Sequence, residues 1–288
     1  MSVHCIMILA HRFPRLFKRL GDRLAGDFTV VAHLDASADR QDFDGTAGVF
    51  LLPRSHRIRW GSYNMIAAAL DMLRHGLAME KTETFTLISG DTYPLCSPRK
   101  LAEILDLRVD CIDSDLVAPA SETMQRIRNA YLPDSRLGEI RPGTHFLHRH
   151  LDEEDISGMV AEAERSRLAR PQFLEDYRYA KGAQWWSLTR ATAEKIVALV
   201  ETDPRFVEAF RFSAIPDEAF FQTAIVKLGL HETIKPSLVF AKWDTVPAPH
   251  TFERVEDLAF LTGQKRPLAR KFSEASDGLI ERIEEELW

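Results

Sequence analysis

Short apolar runs of strand length alternate with amphipathic helical stretches through almost the whole chain, and no other feature narrows the possible folds so far. The run CIMILAH (Cys5–His11) is followed by FPRLFKRLGDRLAG, where Phe13, Phe17, Leu20 and Leu24 recur at helical spacing and Gly26 supplies a stop. β-Branched and apolar residues return in FTVVAHLD (Phe28–Asp35). A strand–helix–strand unit of this length suits parallel pairing through a right-handed crossover. A third short strand, GVFLL, precedes a basic segment ending at Trp60. A helix is expected from Ser62 to about Met79, because Ile66, Leu70, Leu73 and Leu77 line one face. FTLISGD (Phe85–Asp91), CIDSDLV, QWWSLTR (Gln184–Arg190) and SLVFAKW read as further strands. Helices are expected near Pro98–Leu107, over ATAEKIVALVE, after Asp217, near Val255–Thr262 and over the C-terminal DGLIERIEEELW. The alternation predicts one α/β domain over residues 1–288, with a mostly parallel sheet flanked by helices. Residues 133–171, rich in charge, His and Arg, break the pattern and are read as a variable helical excursion.

Composition limits the function classes. With 45% hydrophobic and 28% charged residues the chain is ordinary globular protein. A formal charge of −6 argues against a general nucleic-acid binder, yet basic residues gather in LPRSHRIRW and GQKRPLARKF, as local binding of an anionic ligand would require. Cys5, Cys96 and Cys111 lie far apart and form no CxxC pair, so reduced thiols are expected in place of a disulfide framework or a zinc site. MSVHCIMILAH lacks the basic region and long apolar stretch of a signal peptide, and no run reaches the roughly 18 apolar residues of a membrane span. A cytoplasmic location follows as the expectation, peripheral at the inner membrane face if the substrate is lipid-linked.

In open parallel sheets, ligands bind beyond the carboxyl ends of the strands, so His33–Ser37, Ser89–Pro94, Asp113–Asp115 and Trp243–Asp244 matter most. The dinucleotide GxGxxG, the Walker A sequence and the GxSxG nucleophile elbow are all missing. Asp35 in HLDAS either hydrogen-bonds a ribose or base edge or caps its turn. SGDTYP places Asp91 in a well-formed turn. Asp113 and Asp115 match the D-x-D pattern that holds a divalent metal in many glycosyltransferases, and in a strand they would share a face; chance occurrence is the competing reading. Lys265, Arg266, Arg270 and Lys271 are either phosphate ligands or a surface patch. In FSAIPDEAFFQTAIVKL, Asp217 and Glu218 are either first-turn acids complementing a helix dipole or a base projecting into a cleft.

Six segments in sequence order, HLDAS, RIRWGSYNMIAAALDML, FTLISGDTYPL, KGAQWWSLTR, IPDEAFFQT and LARKF, resemble the core-2/I-branching β-1,6-N-acetylglucosaminyltransferase family, which includes the peptide O-xylosyltransferases. The resemblance runs from about Ile6 to Phe272. It implies a GT-A-like fold and an inverting, metal-independent transfer from a UDP-sugar. The UDP-sugar is then a co-substrate, and no cofactor is expected. Glu218 takes the place of the family's base and Lys271 that of a diphosphate-neutralising cation, with Arg270 or Arg254 as the second. The donor side is expected to include His11, His33, Asp35 and Asp91, and the acceptor side Trp243, Asp115 and Arg126. The branching enzymes carry an aromatic residue where this chain has Thr245. Asp217 is expected to cap the helix. The partners are then a UDP-sugar and a glycan or glycoconjugate, with N-acetylglucosamine first and xylose second as the sugar transferred. A catalytically silent glycan- or nucleotide-binding protein on the same fold is the rival.

Overall fold

The computed structural model of the protein describes residues 3–128, 174–211, 213–245 and 248–288, so the excursion expected over 133–171 lies outside the described residues. The described strands, in chain order, begin with β1 (His4–Ala10), β2 (Thr29–Leu34), β3 (Val49–Leu51), β4 (Thr84–Ser89) and β5 (Thr92–Pro94). They continue with β6 (Cys111–Ile112), β7 (Asp115–Leu116), β8 (Ala180–Lys181), β9 (Trp186–Thr189), β10 (Val239–Ala241) and β11 (Leu268–Arg270).

Six of these form the central sheet in the order β3-β2-β1-β4-β9-β6. β1 lies at its middle, parallel to both neighbours, with Cys5 opposite Thr29 on one side and Phe85 on the other. All seven β1 residues are buried, which is what a parallel strand covered on both faces requires of an unbroken apolar run. His4, the polar exception, is satisfied: one ring nitrogen meets Thr84 Oγ1 at 2.8 Å and the other meets Asp106 at 3.0 Å.

The far side of the sheet is antiparallel. β9 runs against both β4 and β6, so the sheet is parallel across β3-β2-β1-β4 and mixed beyond. The route of the chain explains the reversal. β6 leads to Asp113 and Asp115 at one end of the sheet, and the chain re-enters at that same end through Lys181 and Trp185 before β9 begins. Starting from the end where β6 stops, β9 runs backwards.

Helix Pro14–Leu24 starts on its proline and buries Leu16, Phe17, Leu20 and Leu24. Helix Asn64–Leu77 packs against β1, β2 and β4. Its Gly76 permits the approach, since a Cβ there would stand 2.8 Å from the Phe85 ring on β4. Fully burying side chains such as Phe17, Leu20 and Phe85 contributes about 1.5–3 kcal/mol each. A second sheet, β10-β11-β5, is continuous with the first, because β5 leaves β4 through the Gly90–Asp91 turn. In it Arg270 lies opposite Thr92, which brings the C-terminal basic segment to the end of β4. Among the described residues no helix is long and apolar enough to cross a membrane.

Candidate active site

Residues just past β1, β2 and β4 open into a cavity of about 780 Å³, a size suited to a small-molecule ligand. Its walls bring together His11, Asp35, Asp91, Asp115, Glu218, Trp243, Arg270 and Lys271 from the expected site residues. His33 and Arg126 do not line it.

Asp35 is buried and its carboxylate caps the local turn. It accepts the Ser37 and Ile58 N–H groups, both at 2.7 Å, and the Ser37 hydroxyl at 2.5 Å. His33 lies wholly inside the protein, where its Nε2 accepts the His56 N–H at 2.8 Å and its ring stacks on that of His56. Burial, then the neighbouring His56, pushes its pKa down to about 4. A neutral, fully enclosed imidazole braces the basic segment against β2 and does not reach the cavity.

Asp91 anchors the cationic wall. Arg270 donates to its Oδ1 at 3.1 Å while stacking on Trp185, and Arg12 donates to its Oδ2 at 3.2 Å. Burial raises this carboxyl, but Arg270, the Ser89 hydroxyl and Lys271 outweigh it, so Asp91 lies below the usual carboxylate range. Lys271 differs from both arginines. It has no ion pair among the described residues, and its pKa is lowered, first by burial and then by Arg270. An unpaired ammonium beside two guanidinium groups is an anion site waiting to be neutralised. His11 is also lowered, by burial first and then by Arg12.

Glu218 lines the same cavity. Asp217 and Glu218 occupy a single 3₁₀ turn, Pro216–Glu218, and the α-helix starts two residues later at Phe220. Three segments far apart in sequence hold that turn. The Ile215 N–H donates to the Gly61 carbonyl at 2.9 Å, and the Gly182 N–H donates to the Glu218 carbonyl at 2.8 Å. Arg126 lies 3.5 Å from Glu218 Oε2. Gly182 is required here, because a Cβ would stand 1.8 Å from the Asp113 carbonyl oxygen. Ile215, a β-branched residue at φ 52°, carries strain just before the proline. The Glu218 side chain is 44% exposed, yet the cavity walls strip enough water to raise its pKa, an effect that Arg126 and Lys181 oppose. A raised carboxyl pKa suits a group that must take a proton.

Asp217 corrects the sequence reading. It makes no capping hydrogen bond to the helix, is buried, and leaves Oδ1 without a partner. Burial, then the charge of Glu218, pushes it up to about 7. The apolar bed of Phe220 and Phe221 draws the turn inward, so a first-turn acid becomes an interior one.

The D-S-D segment also departs from expectation. Asp113 and Asp115 do not share one strand face, since Asp113 falls between β6 and β7. Arg266 grips both Asp113 oxygens, at 3.0 and 3.1 Å, and the Ser237 N–H donates to Oδ1 at 3.0 Å. Asp115 is exposed on β7, opposite Lys181. Arg266, Arg270 and Lys271 all line the cavity, but they are engaged differently, with Arg266 bound to Asp113 and Arg270 to Asp91. Arg254 stays outside the lining, its N–H donating to Asp257. Trp243 stands 65% exposed at the cavity rim, while Lys242 pairs with Asp244 at 2.7 Å and Thr245 donates to the Ala248 carbonyl. Sequence reasoning missed Arg12, Lys181 and Trp185. KGAQWW carried a signal for the last two through its place in the resemblance, and Arg12 carried none.

The cavity thus holds both a carboxylate able to accept a proton and cations able to receive a leaving anion. A model of the Core-2/I-branching enzyme family matches residues 7–262 of the 288. The chain belongs to that family, whose members are glycosyltransferases; its α/β architecture is accordingly GT-A-like, and it is an enzyme of the UDP-sugar-using class. Among proteins of curated function none matches the chain.

Proposed function

We propose that this Core-2/I-branching enzyme transfers N-acetylglucosamine from UDP to a hydroxyl of a glycan or glycoconjugate, with inversion and without a metal ion. One observation carries the reading: a half-exposed carboxylate, Glu218, and an ammonium without an ion pair among the described residues, Lys271, line the same cavity. The acceptor hydroxyl gives its proton to Glu218 as its oxygen attacks C1 of the donor sugar. The C1–O bond to the β-phosphate breaks, and its electron pair leaves with UDP. Attack from the face opposite the leaving group inverts the anomeric centre. Lys271 and Arg270 stabilise the charge that develops on the diphosphate, which fixed cations can do in a partly dry site. The metal-free reading is supported by Asp113, whose two oxygens are already engaged by Arg266. Trp243 at the rim offers an aromatic face to an acceptor sugar.

A panel of UDP-sugars incubated with the wild-type enzyme and its Glu218→Gln variant, read by UDP release, tests the proposal. UDP-N-acetylglucosamine should be turned over fastest, and the variant should be slower by about 10²–10⁴-fold, the usual range for loss of a general base. Preference for UDP-xylose would reassign the sugar. Undiminished turnover in the variant would remove Glu218 as the base.

A further inference from the structure

A diphosphate presents two or more negative charges, and the cavity meets it with more cations than the family resemblance assigns. Arg12, Arg270 and Lys271 surround one buried carboxylate, Asp91, which leaves an excess of two positive charges at the ends of β1 and β4. The other nearby acid, Asp35, is already committed to three hydrogen bonds with Ser37 and Ile58.

The two arginines on Asp91 are not equivalent. Arg270 is 14% exposed, donates through both Nε and Nη2, reaches the Ser89 hydroxyl and stacks on Trp185 at 4.7 Å. Its guanidinium is a fixed charge at the cavity wall. Arg12 is 43% exposed, touches Asp91 through a single nitrogen at 3.2 Å and otherwise lies over the Phe13 ring. Asp91 Oδ1 keeps Arg270 and Ser89 whatever Arg12 does. Arg12 is therefore the member of the pair that can turn away without leaving a buried charge alone, and such desertion is what makes breaking an interior ion pair costly.

We infer that Arg12 is a donor-binding residue, its guanidinium exchanging the single contact with Asp91 for the phosphates of the nucleotide diphosphate beside Lys271. This rests on the UDP-sugar reading of the cavity. It adds a third cation to Lys271 and Arg270, a place that Arg254, outside the lining, does not fill. Arg12 directly follows His11 at the carboxyl end of the central strand, so it reaches the cavity from the strand most firmly fixed in the fold. A planar fork can engage two phosphate oxygens at once, whereas Lys271 acts as a point charge.

Calorimetric titration of the full-length protein with UDP and, separately, with uridine tests this in Arg12→Met, Arg12→Gln and Lys271→Met. Gln keeps a donor toward Asp91 without the charge, so a folding failure of the Met variant leaves the question answerable. Both Arg12 variants should lose roughly ten- to hundredfold in UDP affinity, the range for one charge-assisted contact, with uridine affinity unchanged. UDP binding within twofold of wild type in the Arg12 variants, against a loss in Lys271→Met, would overturn the role of Arg12 alone. Loss of uridine together with UDP would make Arg12 a prop for Asp91 and overturn it too. If no variant, Lys271→Met included, separates UDP from uridine, the diphosphate reading of the cavity itself falls.

Discussion

Replacing Asp217 by Asn should change how stability depends on pH, and the size follows from its burial. In the unfolded chain the carboxyl titrates near 3.8; inside the protein it is pushed up to about 7, first by burial and then by Glu218. A raised carboxyl pKa means that the folded state holds the proton more tightly. The protein therefore has its full stability below about pH 4 as far as this group is concerned, and loses stability as pH rises through about 7. The gap between the unfolded and folded values corresponds to about 4 kcal/mol in all, of which roughly 2–3 kcal/mol falls between pH 5 and pH 8. Asn cannot ionise. The stability difference, variant minus wild type, should therefore become more favourable to Asn by roughly 2–3 kcal/mol across that interval. Urea denaturation midpoints of both proteins at pH 5, 6.5 and 8 supply the comparison, and the difference cancels the titration of other groups. A flat difference across the three pH values would show that Asp217 is ionised throughout and that burial does not govern its proton.

Arg126→Met removes the guanidinium that holds the Glu218 carboxyl down, so the acidic limb of the kcat/KM profile should move to higher pH, with UDP affinity unchanged. An unmoved limb would separate Arg126 from the base. Activity should survive EDTA, because Arg266 already occupies Asp113. Loss of activity in chelator, restored by manganese, would refute the metal-free reading.

The strand–helix alternation was legible because its causes are local: an unbroken apolar run in β1, a proline start at Pro14, a helical apolar face from Ile66 to Leu77. The direction of β9 was not, since an apolar run reads the same either way and only the route through Asp113 and Trp185 sets it. That Glu218 and Lys271 line one cavity was reachable because PDE and ARK are short, ordered patterns within the resemblance. Asp217 was misread, and Asp113 left open, for one reason. Each has a local role available to its residue type, a cap or a metal ligand, and each is decided by remote groups, the interior under Phe220 or Arg266 at a separation of 153 residues. Arg12 was missed because its relation to Asp91 spans 79 positions, and HRFPR reads only as the polar lead into a helix.

The backbone ties around Glu218 divide the labour of the molecule. Its turn is fastened through Gly61 and Gly182, whereas Arg270 and Lys271 belong to the edge formed by β11. On the roles proposed above, proton handling and nucleotide handling are fastened through different main-chain bonds around one cavity. The rim around Trp243 belongs with the cations, since β10 pairs with β11 and the Lys271 N–H donates to the His250 carbonyl at 3.3 Å. On the proposed roles, libraries at that rim would move Lys271 along with the acceptor surface, whereas the fastening of Glu218 through Gly61 and Gly182 would be left intact.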